Sequence, residues 1–222
     1  YSFLPEQRGF KETFYHKGGG VGQTPDYWNN NYQDDVYFRN GKPEESKGYC
    51  TDVFFDEAIS FINKNKENPF LCFLSLNAPH SPFNVPKEYY ELYENERDLL
   101  ESQKRFYGMI TNIDNNFGRL HQHIESLGVL DNTIIIFTTD NGTSNGYKYS
   151  KKDNKWLGFN AGMRGTKTSE YDGGHRVPFI IKWKKGGLFG GHNYSGLSAH
   201  VDMLPTLLSF AKIDFNSTKK ID

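Results

Sequence analysis

Asp140, Asn141, Lys167 and His80 are the residues of this chain whose types and settings can do chemistry. Asp140-Asn141-Gly142 closes an apolar β run, Ile134-Ile135-Ile136-Phe137-Thr138-Thr139. A carboxylate and an amide carbonyl at a strand end are hard donors suited to Ca²⁺ or Mg²⁺, at the rim where α/β proteins keep their ligands. The same tripeptide also reads as a plain turn. Two donors fall short of a shell of roughly six to eight oxygens, so other ligands must come from elsewhere. Lys167 follows Arg164-Gly165-Thr166 and precedes the turn Glu170-Tyr171-Asp172-Gly173-Gly174-His175. It reads as a point charge for an anion, or as a surface lysine. His80 lies between Pro79 and Pro82, which stiffen its backbone. It reads as an imidazole of fixed aim for acid/base or hydrogen-bonding work, or as a loop histidine. Together these residues suggest a metal and cationic groups around an anionic substrate.

Other candidates are weaker. Asp34-Asp35 resembles a carboxylate pair, but no apolar strand leads into it, so a solvated loop or substrate-cleft position is expected. His121 and His123 fall on a helix flank and are expected to face solvent. His175 adjoins a strand start and His200 precedes a helix cap, so both are candidates to support the site from behind. Of the two cysteines, Cys72 lies in an apolar run and is expected to be buried and inert, and Cys50, before a helix start, to be structural rather than reactive. Neither forms a metal-type Cys/His spacing.

Several elements must position these groups. Thr51 or Asp52 can cap a helix whose buried face is Phe54, Ala58, Phe61 and Ile62. Phe70 to Leu76 reads as a strand covered on both faces. Phe106, Ile110, Ile113, Phe117, Leu120, Ile124 and Leu127 mark one stripe of a long helix ended by Gly128. Thr133–Thr139 and Val177–Trp183 read as strands, and Asp202 as the cap of a last helix with Pro205 in its first turn. Residues 1–49 and 142–163 read as Gly-rich loops. The alternation predicts an α/β fold with a mixed, mostly parallel sheet and helices on both faces. A net charge of -1 over 222 residues gives no general pull toward nucleic acid or an anionic membrane. No apolar run reaches the length of a membrane-spanning helix. Aromatic residues, 16% of the chain, imply a large aromatic core or an aromatic-lined cleft. Asn193-Tyr194-Ser195, Asn216-Ser217-Thr218 and Asn141-Gly142-Thr143 match glycosylation sequons, although a metal ligand at Asn141 could not carry a glycan.

The set Asn77-Ala78-Pro79-His80, Thr139-Asp140-Asn141-Gly142, Arg164-Gly165-Thr166-Lys167 and Asp172-Gly173-Gly174-His175-Arg176-Val177-Pro178 resembles the type I, formylglycine-dependent sulfatases of the alkaline phosphatase superfamily. Pro5-Glu6-Gln7-Arg8-Gly9-Phe10 and Val201-Asp202-Met203-Leu204-Pro205-Thr206 resemble further landmarks, in the family's order. The resemblance implies hydrolysis of a sulfate monoester and an incomplete alkaline-phosphatase-like fold. It implies Asp140 and Asn141 as ligands of Ca²⁺ (Mg²⁺ being possible), Lys167 and His80 as catalytic and substrate contacts, and Arg164 as a further substrate contact. The nucleophile should arise from a C/S-x-P/A-x-R motif, and neither Cys50 nor Cys72 opens one. The family's first-strand Asp pair and its Lys-x-His pair are missing too. Residues 1–222 are therefore expected to be the central and C-terminal part of a sulfatase catalytic domain, inactive alone, with an unpaired sheet edge. Formylglycine is expected upstream, made by a formylglycine-generating or equivalent maturation enzyme. Expected partners are a small-molecule or glycan sulfate ester, with no nucleic acid and no membrane segment, in a periplasmic, secreted or lysosomal setting. The alternatives are a phosphodiesterase or phosphonate monoester hydrolase of the same superfamily, and a non-catalytic module binding sulfated glycans through the aromatic stretch 15–38.

Overall fold

The computed structural model describes residues 4–23, 26 and 28–214; the sequon at Asn216 lies outside them. The chain divides into two units, Tyr1–Leu188 and Phe189–Asp222.

The first unit opens with a three-stranded antiparallel sheet: β1 (Phe14–Tyr15), β2 (Val36–Arg39) and β3 (Lys42–Glu45). This corrects the reading of residues 1–49 as loop. Asn40-Gly41, at φ of 49° and 79°, makes the left-handed two-residue turn that joins β2 to β3, and the pair is a hairpin signal in its own right. Tyr37, Tyr32, Val21, Tyr49 and Cys50 are buried in the core behind this sheet. Phe14 meets Tyr37 and Phe54 edge-on at 5.4 and 5.7 Å.

Helix α1 spans Cys50–Asn65. Neither Thr51 nor Asp52 caps it; both lie inside its first turn. Asp52 is instead an acceptor for Asn112 and Asn116, at 2.8 and 2.6 Å. These amides sit on α3 (Glu101–Ser126), which follows the short α2 (Lys87–Glu91). The seam between α1 and α3 is thus partly polar. That rotates the buried stripe of α3 onto Gln103, Phe106, Met109, Asn112 and Asn116, leaving Ile110 39% exposed. Phe117 turns to another neighbour, Phe137, at 6.0 Å. Gly128, at φ 71°, ends the helix as expected.

Phe70–Leu76 belongs to no helix or strand among the described residues, against the strand expected there. It is not covered on both faces: Leu74 and Leu76 pack on the core, while Leu71 and Phe73 are 68% and 73% exposed. β4 (Ile135–Thr138) pairs with β7 (Phe179–Lys182), each shorter than its apolar run. The pairing is antiparallel, with Ile136 opposite Ile181. Among the described residues every ladder is antiparallel. Between β4 and β7 lie a β-hairpin and the short helix α4 (Asp172–His175), not the long crossover helix of a usual parallel βαβ unit. The stretch 142–163 is not all loop: β5 (Tyr147–Ser150) and β6 (Lys155–Gly158) form a hairpin. His121 contacts Lys182 at 3.0 Å and His123 contacts Asn63 at 2.9 Å. Both are half-buried, against the solvent-facing reading, because α1 and β7 flank this end of α3.

In the second unit, α5 (Met203–Phe210) carries Pro205 in its first turn. Asp202 is the N-cap residue of α5, as expected, but its side chain makes no cap bond there; its carboxylate accepts from Ala199 N at 2.7 Å and closes the preceding 3-10 turn, His200–Asp202.

Candidate active site

The loop after β4 carries Asp140-Asn141-Gly142 and is bonded to two later loops. Gly142 N donates to Gly174 O at 2.9 Å, and Lys167 N donates to Thr143 O at 2.9 Å. Gly173 N in turn donates to Arg164 O at 2.8 Å. Such close approach requires glycine: a Cβ on Gly142 would stand 1.9 Å from Gly173 O, and one on Gly173 would stand 2.0 Å from Gly165 O. Asp140, Asn141, Arg164, Lys167 and the Gly173-Gly174 turn therefore form one assembly.

The exposed polar atoms of this assembly suit ligands. Among the described residues no protein group donates to the Asp140 carboxylate, and no carboxylate pairs with the half-buried Lys167 ammonium. Asn141 Nδ2 donates to Gly142 O at 3.0 Å, which leaves its Oδ1 open. Two hard oxygens with no competing protein donor fit a Ca²⁺ or Mg²⁺ as a partial shell. No three His, Cys, Asp or Glu side chains gather as a metal site among the described residues. Arg164 Cζ lies over the Tyr171 ring, 3.6 Å from its centroid, so its cation is already engaged. His175 meets Glu170 O at 3.0 Å and serves the turn itself. His200 belongs to the second unit.

His80 belongs to another assembly. Its Nδ1 is 2.8 Å from Gln23 Nε2, which also donates to Ser81 O at 2.8 Å. His80 Nδ1 also lies 2.9 Å from Ser81 O, so this side of the ring is held by Gln23 and Ser81. The loop is held from below: the fully buried Tyr32 donates its hydroxyl to His80 O at 2.9 Å and accepts from Asn77 Nδ2. Among the described residues no hydrogen bond, ion pair or ring contact joins His80 to Asp140, Asn141 or Lys167. The two assemblies share a support in Phe106 of α3. Phe83 packs edge-on against its ring at 6.0 Å, and a Cβ on Gly146 would lie 3.2 Å from it.

Several supporting residues had no signal in the periodicity. Asn145 Nδ2 donates to Ser102 O at 2.7 Å, and Tyr107 donates to Gly146 O at 2.6 Å, so the Asp140 loop is clamped to α3. His16 and Asp26 form a buried pair at 3.2 Å. Burial pushes the Asp26 carboxyl up, but donation from Trp28 N, Gly22 N and His16 outweighs it and holds the group below its usual value. Gln23 and Asp26 follow the run Gly18-Gly19-Gly20 and His16 precedes it, and that glycine run was the cue available in the sequence.

Asp34-Asp35 is neither solvated as a pair nor aimed at a ligand. Asp35 is buried and accepts from Asn31 N, Tyr32 N and the Tyr37 hydroxyl, and Asp34 accepts from Gly48 N. Asx-type loop bonding, which consumes the carboxylates, is the physical reason. Cys50 is buried, and burial pushes its thiol up to about 12. Burial also raises the Cys72 thiol.

The sulfatase family model matches residues 1–213. This chain belongs to the sulfatase family. It is 30% identical over 195 residues to the uncharacterized sulfatase YdeN of Escherichia coli K12, covering 86% of this chain and 32% of that protein. It is 28% identical to human N-acetylgalactosamine-6-sulfatase over 174 residues, 78% of this chain and 30% of the relative. Among solved structures it is similar to Ps i-CgsB in complex with k-i-k-neocarrahexaose, with a TM-score of 0.79, 28% identity, and coverage of 97% of this chain and 48% of the other. The α/β class expected from the sequence is that of an incomplete alkaline-phosphatase-like sulfatase domain, with helices and strands mixed. The chain spans less than half the length of these relatives. No helix of the described residues is long and apolar enough to cross a membrane.

Proposed function

We propose that this chain supplies part of the machinery with which a sulfatase hydrolyses a sulfate monoester to an alcohol and inorganic sulfate. One observation carries the reading: the Lys167 N to Thr143 O bond sets an unpaired lysine loop against Asp140 and Asn141, whose side-chain oxygens no protein group occupies. Membership of a family whose relatives are named sulfatases supports it. Asp140 and Asn141 would hold a divalent cation, calcium by donor type. When bound, such an ion supplies Lewis-acid stabilisation of negative charge on sulfuryl oxygens. Lys167 adds a fixed positive charge toward the same anion. His80 is suited to donate to a leaving alkoxide oxygen.

The proposed nucleophile is formylglycine, and the cysteines here do not fit it. Cys50 is buried and leads Thr51-Asp52-Val53-Phe54; Cys72 leads Phe73-Leu74-Ser75-Leu76. The nucleophilic step is therefore assigned to residues other than 1–222, after action of a maturation enzyme. The substrate class is a small-molecule or glycan sulfate ester, in a periplasmic, secreted or lysosomal setting.

The test is turnover of matched aryl sulfate and aryl phosphate by the full-length protein, before and after chelation with EGTA. Sulfate hydrolysis lost on chelation and restored by Ca²⁺ is expected. Preference for the phosphate would favour a phosphoester hydrolase of the same fold, and turnover of neither would favour a non-catalytic glycan-binding role.

A further inference from the structure

The β5–β6 hairpin is anchored at both feet to the candidate site yet presents bare aromatic rings. Its first foot, Gly146, donates to Thr143 Oγ1 at 2.8 Å, and Thr143 is the residue that accepts from Lys167 N. Beyond its second foot, Asn160 Nδ2 donates to Gly165 O at 2.6 Å, in the Lys167 loop. Gln103 Nε2 holds the second strand through Leu157 O at 2.9 Å. The register sets Tyr149 opposite Trp156 and Tyr147 opposite Gly158, so three aromatic side chains share one face. Tyr147 stacks on Trp156 at 4.9 Å and 15°, and Tyr149 meets it edge-on at 5.7 Å. The other face holds buried Ser150 and Leu157 and turns to the body of the unit.

Trp156 and Tyr149 are 53% and 45% exposed. A rigid aromatic cluster left in water marks a binding surface. Its rings offer large contact area at small entropy cost. At the tip, exposed Lys151 and Lys152 pair with no carboxylate among the described residues. Aromatic faces stack on the apolar faces of pyranose rings, and free ammonium groups meet sulfate as point charges. We propose that this hairpin binds a sulfated oligosaccharide, taking a sugar that neighbours the one whose ester is hydrolysed. The ring cluster would stack on that sugar and the tip lysines would meet its sulfate. The proposal rests on the sulfate-ester reading of the Asp140–Lys167 assembly.

The test is calorimetric titration of the full-length protein with a sulfated galactan hexasaccharide and its desulfated counterpart, alongside turnover of a small aryl sulfate. Trp156→Ala should weaken hexasaccharide binding about tenfold and leave aryl sulfate turnover within about twofold. Trp156→Phe should keep most of the affinity. The double variant Lys151→Gln, Lys152→Gln should weaken binding several-fold and flatten its salt dependence. Thermal melts report folding, and if Trp156→Ala fails to fold, the phenylalanine and double-lysine variants decide. Unchanged affinity in the folded variants, no binding by the wild type, or equal binding of the desulfated sugar overturns the proposal. If the wild type turns over no aryl sulfate yet Trp156→Ala loses hexasaccharide binding, the hairpin assignment stands and the catalytic reading falls.

Discussion

Lys167 N donates to Thr143 O across 2.9 Å, and this single backbone bond fixes the lysine loop to the loop that carries Asp140. The two residues are far apart in the chain, and the hairpin and the Asn160–Gly165 turn lie between them. The side chain of Lys167 is left without a protein partner, so its replacement should alter chemistry more than folding.

Lys167→Ala is expected to lower kcat for an aryl sulfate by about 10²–10³-fold, the usual cost of one preorganised group that stabilises developing charge. The melting temperature should stay close to that of the wild type. A folded variant with unchanged kcat would remove Lys167 from the chemistry.

Gly142→Ala is expected to destabilise the protein by about 1–3 kcal/mol or more, because its Cβ would collide with Gly173 O. Backbone, not a flexible side chain, is what it strikes. Chemical denaturation measures the loss, and loss of activity at temperatures where the variant stays folded would show that the loops have parted.

Asp26 gives a pH signature. Its folded-state carboxyl lies below the ordinary value of 3.8, so the stability it contributes is present above that value and is lost as pH falls through the lower folded value. Wild type should therefore exceed Asp26→Asn in stability near neutrality, and the gap should close in acid. Melts from pH 7 down to about 3 follow it; a gap that widens in acid would contradict the assignment.

Cys50 should resist iodoacetamide at pH 8 in the folded protein and react once the protein is unfolded. It is 1% exposed, and burial pushes its thiol up to about 12. Peptide mass spectrometry reads the adduct, and rapid native labelling would contradict the structure.

The sequence made α1, α3, β4 and β7 legible because apolar periodicity and a burying neighbour agree there. The antiparallel pairing of β4 with β7 was not legible, since direction depends on the connection rather than on either apolar run. Phe70–Leu76 shows the limit of composition: the run is apolar but for Ser75, yet Leu71 and Phe73 are exposed while Leu74 and Leu76 pack on the core. The Asn40-Gly41 turn, and the strands β5 and β6, were missed because Gly and Asn density read as loop. At the candidate site, Asp140 and Lys167 stood out by residue type and setting, and the structure joins their loops. Gln23, Tyr32 and Asn145 act through single long-range hydrogen bonds, which no local spacing encodes.

Tyr32 has a consequence beyond its hydrogen bond. Its ring stacks on Tyr49 at 5.9 Å, its carbonyl takes the Cys50 amide at 2.7 Å, and its hydroxyl carries the His80 loop. The interior therefore sets the aim of the imidazole. A small volume change at position 50 should register as altered turnover before it registers as a lower melting point, and core and catalytic loop are not free to evolve independently.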